Sequence, residues 1–571
     1  MKKKILFLVL LLFCNLLIAQ SPNWLWAKSA NGNKFDNGWA VSSDLSGNVY
    51  VTGSFTSPTI NFGSFTLTNA NGSGNFSDIF FVKYDFSGNV LWAKSVGSTY
   101  DDWGLAVKAD NLGNVYLSGG FVNDTIIFGT DTLINNNSTF TSVPEDIYIA
   151  KYDTAGNVLW AKSFGGDRNE QIVTISTSDK GNVFATGMFT SDSITFDSFN
   201  LINASSTSTP DFFIVKLDAS GNVQWATSAG GINFDHGNSI AADAFGNAYV
   251  TGSFCSPTIT FGNITLTNMN NNGSYPDIFI VKYDNNGNIL WAKSVGGNSG
   301  EDARGVASDV FGNLYITGNF ASPTITFGSY ILTNTVNSGH KYDIFIAKYD
   351  PSGNVLWAKS AGGTGVNDKG NAISTDADGN IYVIGGFESP SLIFGSITIT
   401  PPLNSTDPMF VVKYDPTGIA LCANSLASGG GDWDGQKIST DPFGNTYVIG
   451  NFRNLANPFI VGSFTLFGGG IQNVFVSKWT CPYYLGINEI NPNVSIQIFP
   501  NPFSTQTMLL TREILKDATL TVCNSYGQIV REIKNISGPT IILLRDNLPT
   551  GLYFLRLRAD DKIFIDKLII T

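Results

Sequence analysis

Seven acidic residues recur at a near-constant interval along the chain: Asp36, Asp102, Glu170, Asp235, Asp302, Asp368 and Asp434. A ring of carboxylates can hold a cation or a cationic ligand if burial brings several together, and each can equally cap the backbone of its own loop. Trp39, Trp103 and Trp433 stand close to three of them. An indole face beside a carboxylate suits a sugar ring, because the face stacks on C–H bonds while the carboxylate accepts from hydroxyls. The candidate ligand-binding set is therefore Trp39, Trp103, Trp433, Asp36, Asp102 and Asp434, with Asp101 and Asp432 beside it. A tryptophan near an inner strand also serves as core filling, and both roles stand at this point. The same segments of the other units carry Arg168, His236, Arg304 and Lys369 instead, on an arc opposite the tryptophans.

Other catalytic chemistry is sparse. The chain has only two histidines, His236 and His340, with no His-x-x-x-His pair, no Gly-x-Ser-x-Gly elbow and no phosphate-binding loop. No catalytic residue, metal ligand or cofactor is assigned, and the reading is a non-enzymatic binding scaffold. The alternative is an extracellular carbohydrate-active enzyme, a glycoside hydrolase or lyase, since such chemistry needs only a few convergent carboxylates.

The elements that must position these residues are repeats. A Leu-Trp-Ala-Lys-Ser phrase returns about every 66 residues, marked by Trp26, Trp92, Trp160, Trp225, Trp291 and Trp357, with Cys422 in the seventh place. Each unit reads as four strands, in the first unit 39–44, 48–55, 79–84 and 90–95, rich in β-branched and aromatic residues. Asp-x-x-Gly-Asn joins the strands in pairs. Glycine supplies the positive φ of a tight turn and Asp bonds back to the backbone, so Asp376-Ala-Asp378-Gly-Asn380 is read as a turn rather than a calcium loop. A glycine recurs in the second strand, Gly53 through Gly450, and marks close backbone approach. Between the second and third strands an excursion such as 59–68 predicts an extra hairpin projecting from one rim. The acidic residues then fall in the loops that lead from one unit to the next, ringing one mouth of a central channel.

The ends are complementary. The array starts with an orphan fourth strand, 24–29, and its last unit stops after a third strand, 474–479, so docking one on the other predicts a closed ring of seven sheets. Residues 1–19, Met1-Lys2-Lys3-Lys4 followed by an apolar run, read as an export signal. Beyond it four cysteines remain, scattered without a Cys-x-x-Cys spacing; a Cys422–Cys481 bridge is conceivable, with nothing in the spacing to support it. The formal charge of -12 leaves no basic stripe for nucleic acid or anionic lipid.

The segments Asp-Ile-Phe-(Phe/Ile)-Val-Lys-Tyr-Asp-x-x-Gly-Asn-Val-Leu-Trp-Ala-Lys-Ser resemble the bacterial SBBP-type β-propeller repeat. The resemblance spans residues 21–481 and implies a seven-bladed β-propeller of four-stranded blades, with no assigned reaction. A second resemblance follows a linker, 482–493. Ile498-Phe-Pro-Asn-Pro-Phe503, Val522-Cys-Asn-Ser-Tyr-Gly-Gln-Ile-Val530, Leu548-Pro-Thr-Gly-Leu-Tyr-Phe-Leu-Arg-Leu557 and Lys567-Leu-Ile-Ile-Thr571 look like the type A C-terminal sorting domain of the type IX secretion system. Read from its residues, 494–571 is a small antiparallel β-sandwich. The resemblance implies handling by the type IX secretion machinery of a Bacteroidetes-type cell, then release or surface anchoring. No stretch after the leader is apolar enough to span a bilayer. The expected partner is a glycan or surface protein.

Overall fold

The computed structural model describes residues 23–135, 144–178, 181–205, 209–270, 273–336, 341–364, 367–402, 405, 407–426, 437–453, 459–481, 496–524, 529–559 and 562–570. Residues 1–19, expected to be an export signal, and the expected linker 482–493 lie outside the described residues. The fold is all-β, a seven-bladed propeller followed by a smaller sheet domain. Blade 1 orders Asp36–Ser43, Val49–Phe55, Asp78–Tyr84 and Val90–Val96 from the channel outward. Blades 2 to 6 repeat it, with inner strands Asp102–Ala109, Glu170–Thr177, Asp235–Ala242, Glu301–Ser308 and Asp368–Thr375. Blade 7 takes Lys437–Thr440, Thr446–Arg453 and Gln472–Thr480 from the end of the array and Asn23–Ser29 from its beginning. The first strand runs antiparallel to the last, Asn23 opposite Thr480 and Ser29 opposite Phe475, so the ring closes as expected.

Inner strands begin three residues earlier than predicted. A bulge accounts for this: Gly38 pairs with Gly53 and Ala40 with Thr52, leaving Trp39 as the extra residue. The bulge pushes the Asn37 carbonyl over Gly53, where a Cβ would collide with it, and the same crowding recurs at Gly119, Gly187, Gly252, Gly318 and Gly385. Asp36, Asp102, Glu170, Asp235 and Asp368 thus open inner strands instead of lying in loops.

The hydrophobic core is seven layers, one between each pair of blades. The layer between blades 1 and 2 holds Tyr50, Ile79 and Phe81 against Val107, Leu117 and Tyr148. Burying each such side chain contributes about 1.5–3 kcal/mol. The extra hairpins do not project from a rim, as the sequence suggested. In blade 2 the hairpin Thr125–Phe128 and Asp131–Ile134 turns Ile126, Phe128 and Leu133 into that layer, leaving Ile127 and Ile134 outside. Period-two alternation gives the hairpin one apolar face, and the seam between two blades is where that face is buried.

A repeated polar contact locks each blade to the next. The marker tryptophan and a third-strand lysine pair across one sheet and donate to one carbonyl in the outer turn of the following blade. Trp225 Nε1 and Lys216 Nζ reach the Asn285 carbonyl at 3.1 and 2.7 Å; Trp291 and Lys282 both reach that of Pro351 at 3.1 Å. Trp26 and Lys478 reach the Phe86 carbonyl at 3.1 and 3.3 Å, so the lock crosses the closure point. Each lysine also lies over an aromatic ring, Lys282 Nζ 4.7 Å from the Tyr249 centroid. In the turn, Gly88 adopts φ 83°, as its outer-turn equivalents Gly156 (82°) and Gly287 (85°) do, and a Cβ there would sit 2.8 Å from the Trp26 indole. The Asp-x-x-Gly-Asn motif is structural: Asp376 accepts from Asp378 N and Asn380 N at 3.0 and 2.9 Å and from Tyr382 at 2.8 Å.

At the blade 6 to blade 7 seam the two outer strands of blade 7 come from opposite ends of the array, so no hairpin turn joins them. Cys422 replaces the tryptophan and forms a disulfide with Cys481 at the end of the last propeller strand, with 6.4 Å between their Cα atoms. In the tail, the strand Gln506–Asn524 pairs with Ile496–Phe499 near its start, with Gly551–Ala559 near its end, and with Ile529–Leu544 along its length. Residues from both halves, Leu509 and Leu543 with Val522, Leu555 and Leu568, share one core, as a small sandwich requires.

Two outcomes follow for stability. Replacing Cys422 and Cys481 by serine should lower unfolding free energy by about 2–4 kcal/mol, the usual range for a loop of this order. A urea midpoint unchanged by the double substitution would show that the bridge does not support the ring. Deleting Asn23–Ser29 should cost far more, since it bares an edge and removes Trp24 and Trp26 from two core layers. An unchanged melting temperature would contradict closure by this strand.

Candidate functional site

The opening residue of the inner strand in blades 1 to 6 is a buried acid. Asp36 accepts from Ser57 Oγ at 2.9 Å, Asp235 from Ser256 Oγ at 2.6 Å, and Asp368 from Ser389 Oγ at 2.6 Å. Glu170 bonds Ser191 in the same way, and Asp102 accepts from Ser98 N at 2.6 Å. In blade 5 the equivalent residue is Glu301, which accepts from Ser322 N at 3.1 Å, so the assignment of Asp302 to this ring was one residue off register. Asp36 and Asp102 are both fully buried. Their carboxylates fasten the inner strand to neighbouring loops and do not line the mouth, which corrects their placement in the ligand-binding set. Burial pushes Asp36 and Asp235 up to about 6, Glu301 to about 7 and Glu170 to about 8, with serine hydrogen bonds opposing the rise. The third strands open on a second set of buried acids; burial likewise lifts Asp78, Asp211, Asp277 and Asp343 to about 6.

The mouth itself is lined from the next positions of the inner strand. One residue beyond the acid come Asn37, Trp103, Gln171, His236, Asp302 and Lys369, each half-buried; at the bulge come Trp39, Leu105, Val173, Asn238 and Arg304. Below them all seven blades enclose a central cavity of about 280 Å³, lined by small and β-branched residues such as Ala40, Val107, Thr174 and Ser239. Trp39 donates its indole N–H to Ser54 Oγ at 3.1 Å. Trp39 and Trp103 occupy different positions on adjoining blades. Trp433 and Asp434, with Asp432, lie outside the described residues. Glu145 was missed by the sequence reading: it stands over Gly120, the cross-strand partner of Trp103, and burial, then Asp146, pushes it up to about 8. The signal was present, because blades 1, 3, 4 and 5 have Ser77, Pro210, Pro276 and Tyr342 before the third-strand acid where blade 2 has a carboxylate.

Across the mouth, blades 4, 5 and 6 form a polar pocket of about 190 Å³ that brings together His236, Asp302, Arg304 and Lys369 with Asn319 and Tyr342. Arg168, expected on the same arc, instead pairs with Asp192 at 3.2 Å. Asp302 accepts from Ser253 Oγ at 2.6 Å, Asn238 Nδ2 at 2.7 Å and Arg304 Nε at 3.0 Å. Burial alone would raise Asp302, but Arg304, His236 and these hydrogen bonds hold it below the usual carboxylate range. Burial pushes His236 down, against the opposing pull of Asp302. Among the described residues, no group of three or more His, Cys, Asp or Glu side chains is arranged to hold a metal ion.

Residues 497–571 match the family model described as a secretion system C-terminal sorting domain. The chain is therefore exported by type IX secretion to the cell surface or beyond it, and among the described residues no helix is long and apolar enough to cross a membrane. It is 26% identical over 514 residues to the "Uncharacterized WD repeat-containing protein L264" of Acanthamoeba polyphaga mimivirus, covering 75% of this chain and 36% of that one. The chain thus spans about a third of that relative's length. Among solved structures it is similar to Sqt1 from Chaetomium thermophilum, with a TM-score of 0.34 at 9% identity over 81% of this chain and 100% of that one. It is also similar to a duf4221 family member from Bacteroides vulgatus, with a TM-score of 0.30 at 10% identity over 80% of this chain and 99% of that one.

The raised carboxyls set a pH dependence. A carboxyl whose folded pKa lies above its unfolded value of about 4 binds protons preferentially in the folded state. Its stabilising contribution is complete below pH 4 and is lost as pH rises through about 6 to 8, the values of these groups. The melting temperature at constant ionic strength should therefore be higher at pH 5 than at pH 8. A melting temperature that is flat or rising between those values would show that the buried acids are ionised in the folded ring.

Proposed function

We propose that this exported chain is a binding or adhesion scaffold that engages a glycan or surface protein at the propeller mouth where the inner strands begin. One observation carries the reading. Six of the repeat tryptophans are committed to locking blades together, and Trp24 and Trp479 pack on each other at the closure with centroids 6.4 Å apart. Trp39 and Trp103 take no part in that lock; they are half-buried on adjoining blades at the mouth. Loops and strand ends held by a rigid ring are where binding side chains are presented. Trp433 is a candidate third member of this arc by its place in the sequence.

The alternative, a carbohydrate-active enzyme, has one observation on its side. Glu301 and Asp302 line one pocket with ionisation displaced in opposite directions, the arrangement an acid and a base require. Release of reducing ends from a polysaccharide, abolished by Glu301→Gln, would favour it over a scaffold.

The scaffold reading is tested by comparing Trp103→Ala with Trp92→Ala on a glycan array and by calorimetry. Trp103→Ala should weaken binding about ten- to a hundred-fold with little change in melting temperature. Trp92→Ala should destabilise the ring. If Trp103→Ala unfolds the protein, that side chain is core and the arc loses its central residue. Export is tested separately: a chain lacking 497–571 should accumulate, folded, in the periplasm, and its normal secretion would remove the tail from this role.

A further inference from the structure

We propose that Trp103 and Glu145 of blade 2 together bind an amino sugar, the indole lying against the ring and the carboxylate pairing with the ring's ammonium group. The proposal rests on the scaffold reading and deepens it by naming the sugar class that the tryptophan arc takes.

The sheet brings the two side chains together. Trp103 lies directly opposite Gly120, and residues so paired send their side chains to one face with Cβ atoms about 4.5–5.5 Å apart. A Cβ on Gly120 would collide with Glu145 Oε1, so the carboxyl occupies the space of the missing side chain, beside the indole. Blades 1, 3, 4 and 5 have Ser54, Met188, Ser253 and Asn319 at the place of Gly120, which fill that space themselves. Blade 6 has a glycine there, Gly386, but Pro408 at the place of Glu145 and Lys369 at that of Trp103. Indole, glycine and carboxyl coincide in blade 2.

This carboxyl differs from the acids that tether strands. Asp36, Asp235 and Asp368 each accept from a serine hydroxyl, whereas Glu145 Oε1 is buried without a hydrogen-bond partner. Burial, then Asp146, raises the group to about 8, and no hydrogen bond opposes the rise. The surrounding charges offer no relief. Asp146 on its own strand, Asp102 opposite and Glu170 on blade 3 are acids, and Arg168, next to the Asn169 that accepts from Glu145 N at 3.0 Å, is paired with Asp192. Buried polar atoms ordinarily have partners, so this oxygen marks a place where a donor arrives from outside the chain. A cation suits it best, because it meets the negative face of the indole and the carboxylate at once. The indole is equally matched to the C–H face of a sugar ring, and an amine on that ring joins both contacts in one residue.

Binding then exchanges a proton. At pH 7 the carboxyl of the free chain is largely protonated, and the arriving R–NH3+ displaces that proton to solvent to leave an ammonium–carboxylate pair. A neutral sugar releases none.

The test is calorimetric titration of the full chain at pH 7, in two buffers of different ionisation enthalpy, with glucosamine, galactosamine, their N-acetyl derivatives, glucose, galactose and a blocked lysine amide. At least one amino sugar should bind about ten-fold more tightly than its N-acetyl and neutral counterparts, with net proton release. Glu145→Gln should abolish that preference and the proton release while leaving the neutral sugars as they were. Gly120→Ala should do the same by displacing the flexible end of Glu145, which keeps the test decisive if Glu145→Gln fails to fold. Absence of amino-sugar binding, tightest binding of an N-acetyl sugar, or a preference that survives Glu145→Gln would overturn the proposal. Tighter binding of the lysine amide than of either amino sugar would overturn the sugar assignment. Trp103→Ala should weaken amino and neutral sugars alike, so loss of the tryptophan arc is read separately from loss of the ammonium site.

Discussion

The ring depends on a single backbone carbonyl used twice. In the outer turn of a blade this oxygen has two lone pairs, and the preceding blade sends it an indole N–H and an ammonium. Neither donor would be cheap to bury alone. Burial depresses the lysines, as at Lys83, Lys216's equivalents Lys151 and Lys282, and Lys348, so the carbonyl, the aromatic face beneath and nearby turn carboxylates must together offset desolvation. Blades that are apolar on both faces could slide against one another; a directional contact fixes their register. The repeated Trp and Lys of the sequence phrase are the two ends of that contact.

The exception shows how the rule works. A propeller closed by its own N-terminal strand has no hairpin turn between the two outer strands of its last blade. Cys422 stands at that place, and a covalent bond to Cys481 does there what two hydrogen bonds do elsewhere. The pairing could not be read from cysteine spacing, because its logic lies in the missing turn. An isolated disulfide in a large domain is consistent with a chain that matures outside the cytosol.

Period, turn chemistry and unmatched ends made the seven blades and their closure legible before any coordinates. What escaped was local. The bulge at Trp39 and its equivalents places Asp36, Asp102, Glu170, Asp235 and Asp368 in strands rather than loops, and in blade 5, where two acids are adjacent, the strand opens on Glu301 rather than Asp302. Serines such as Ser57 and Ser256, twenty-one residues from the acids they bind, gave no pattern that distinguished a tether from a ligand site. The blade 4 to 6 pocket was half visible, since His236, Arg304 and Lys369 had been placed on one arc. Asn319 and Tyr342 were not, because they come from the second strand and from the residue before the third, and only the folded sheet brings them to the mouth.

Closure by the first strand also sets a timetable. Ser29 and Phe475 lie at opposite ends of the array, so the contact between them is among the least local that the chain makes. Individual blades are hairpins of neighbouring segments and can form as soon as they emerge, but the final edge stays open until both termini of the propeller are present. During that interval blade 7 offers an unpaired strand edge to any other chain, and an incomplete ring would be prone to join a copy of itself. The sorting tail follows the last propeller strand. A chain that has displayed its tail has therefore already supplied every segment the ring needs, and the order of domains alone biases export towards molecules able to close.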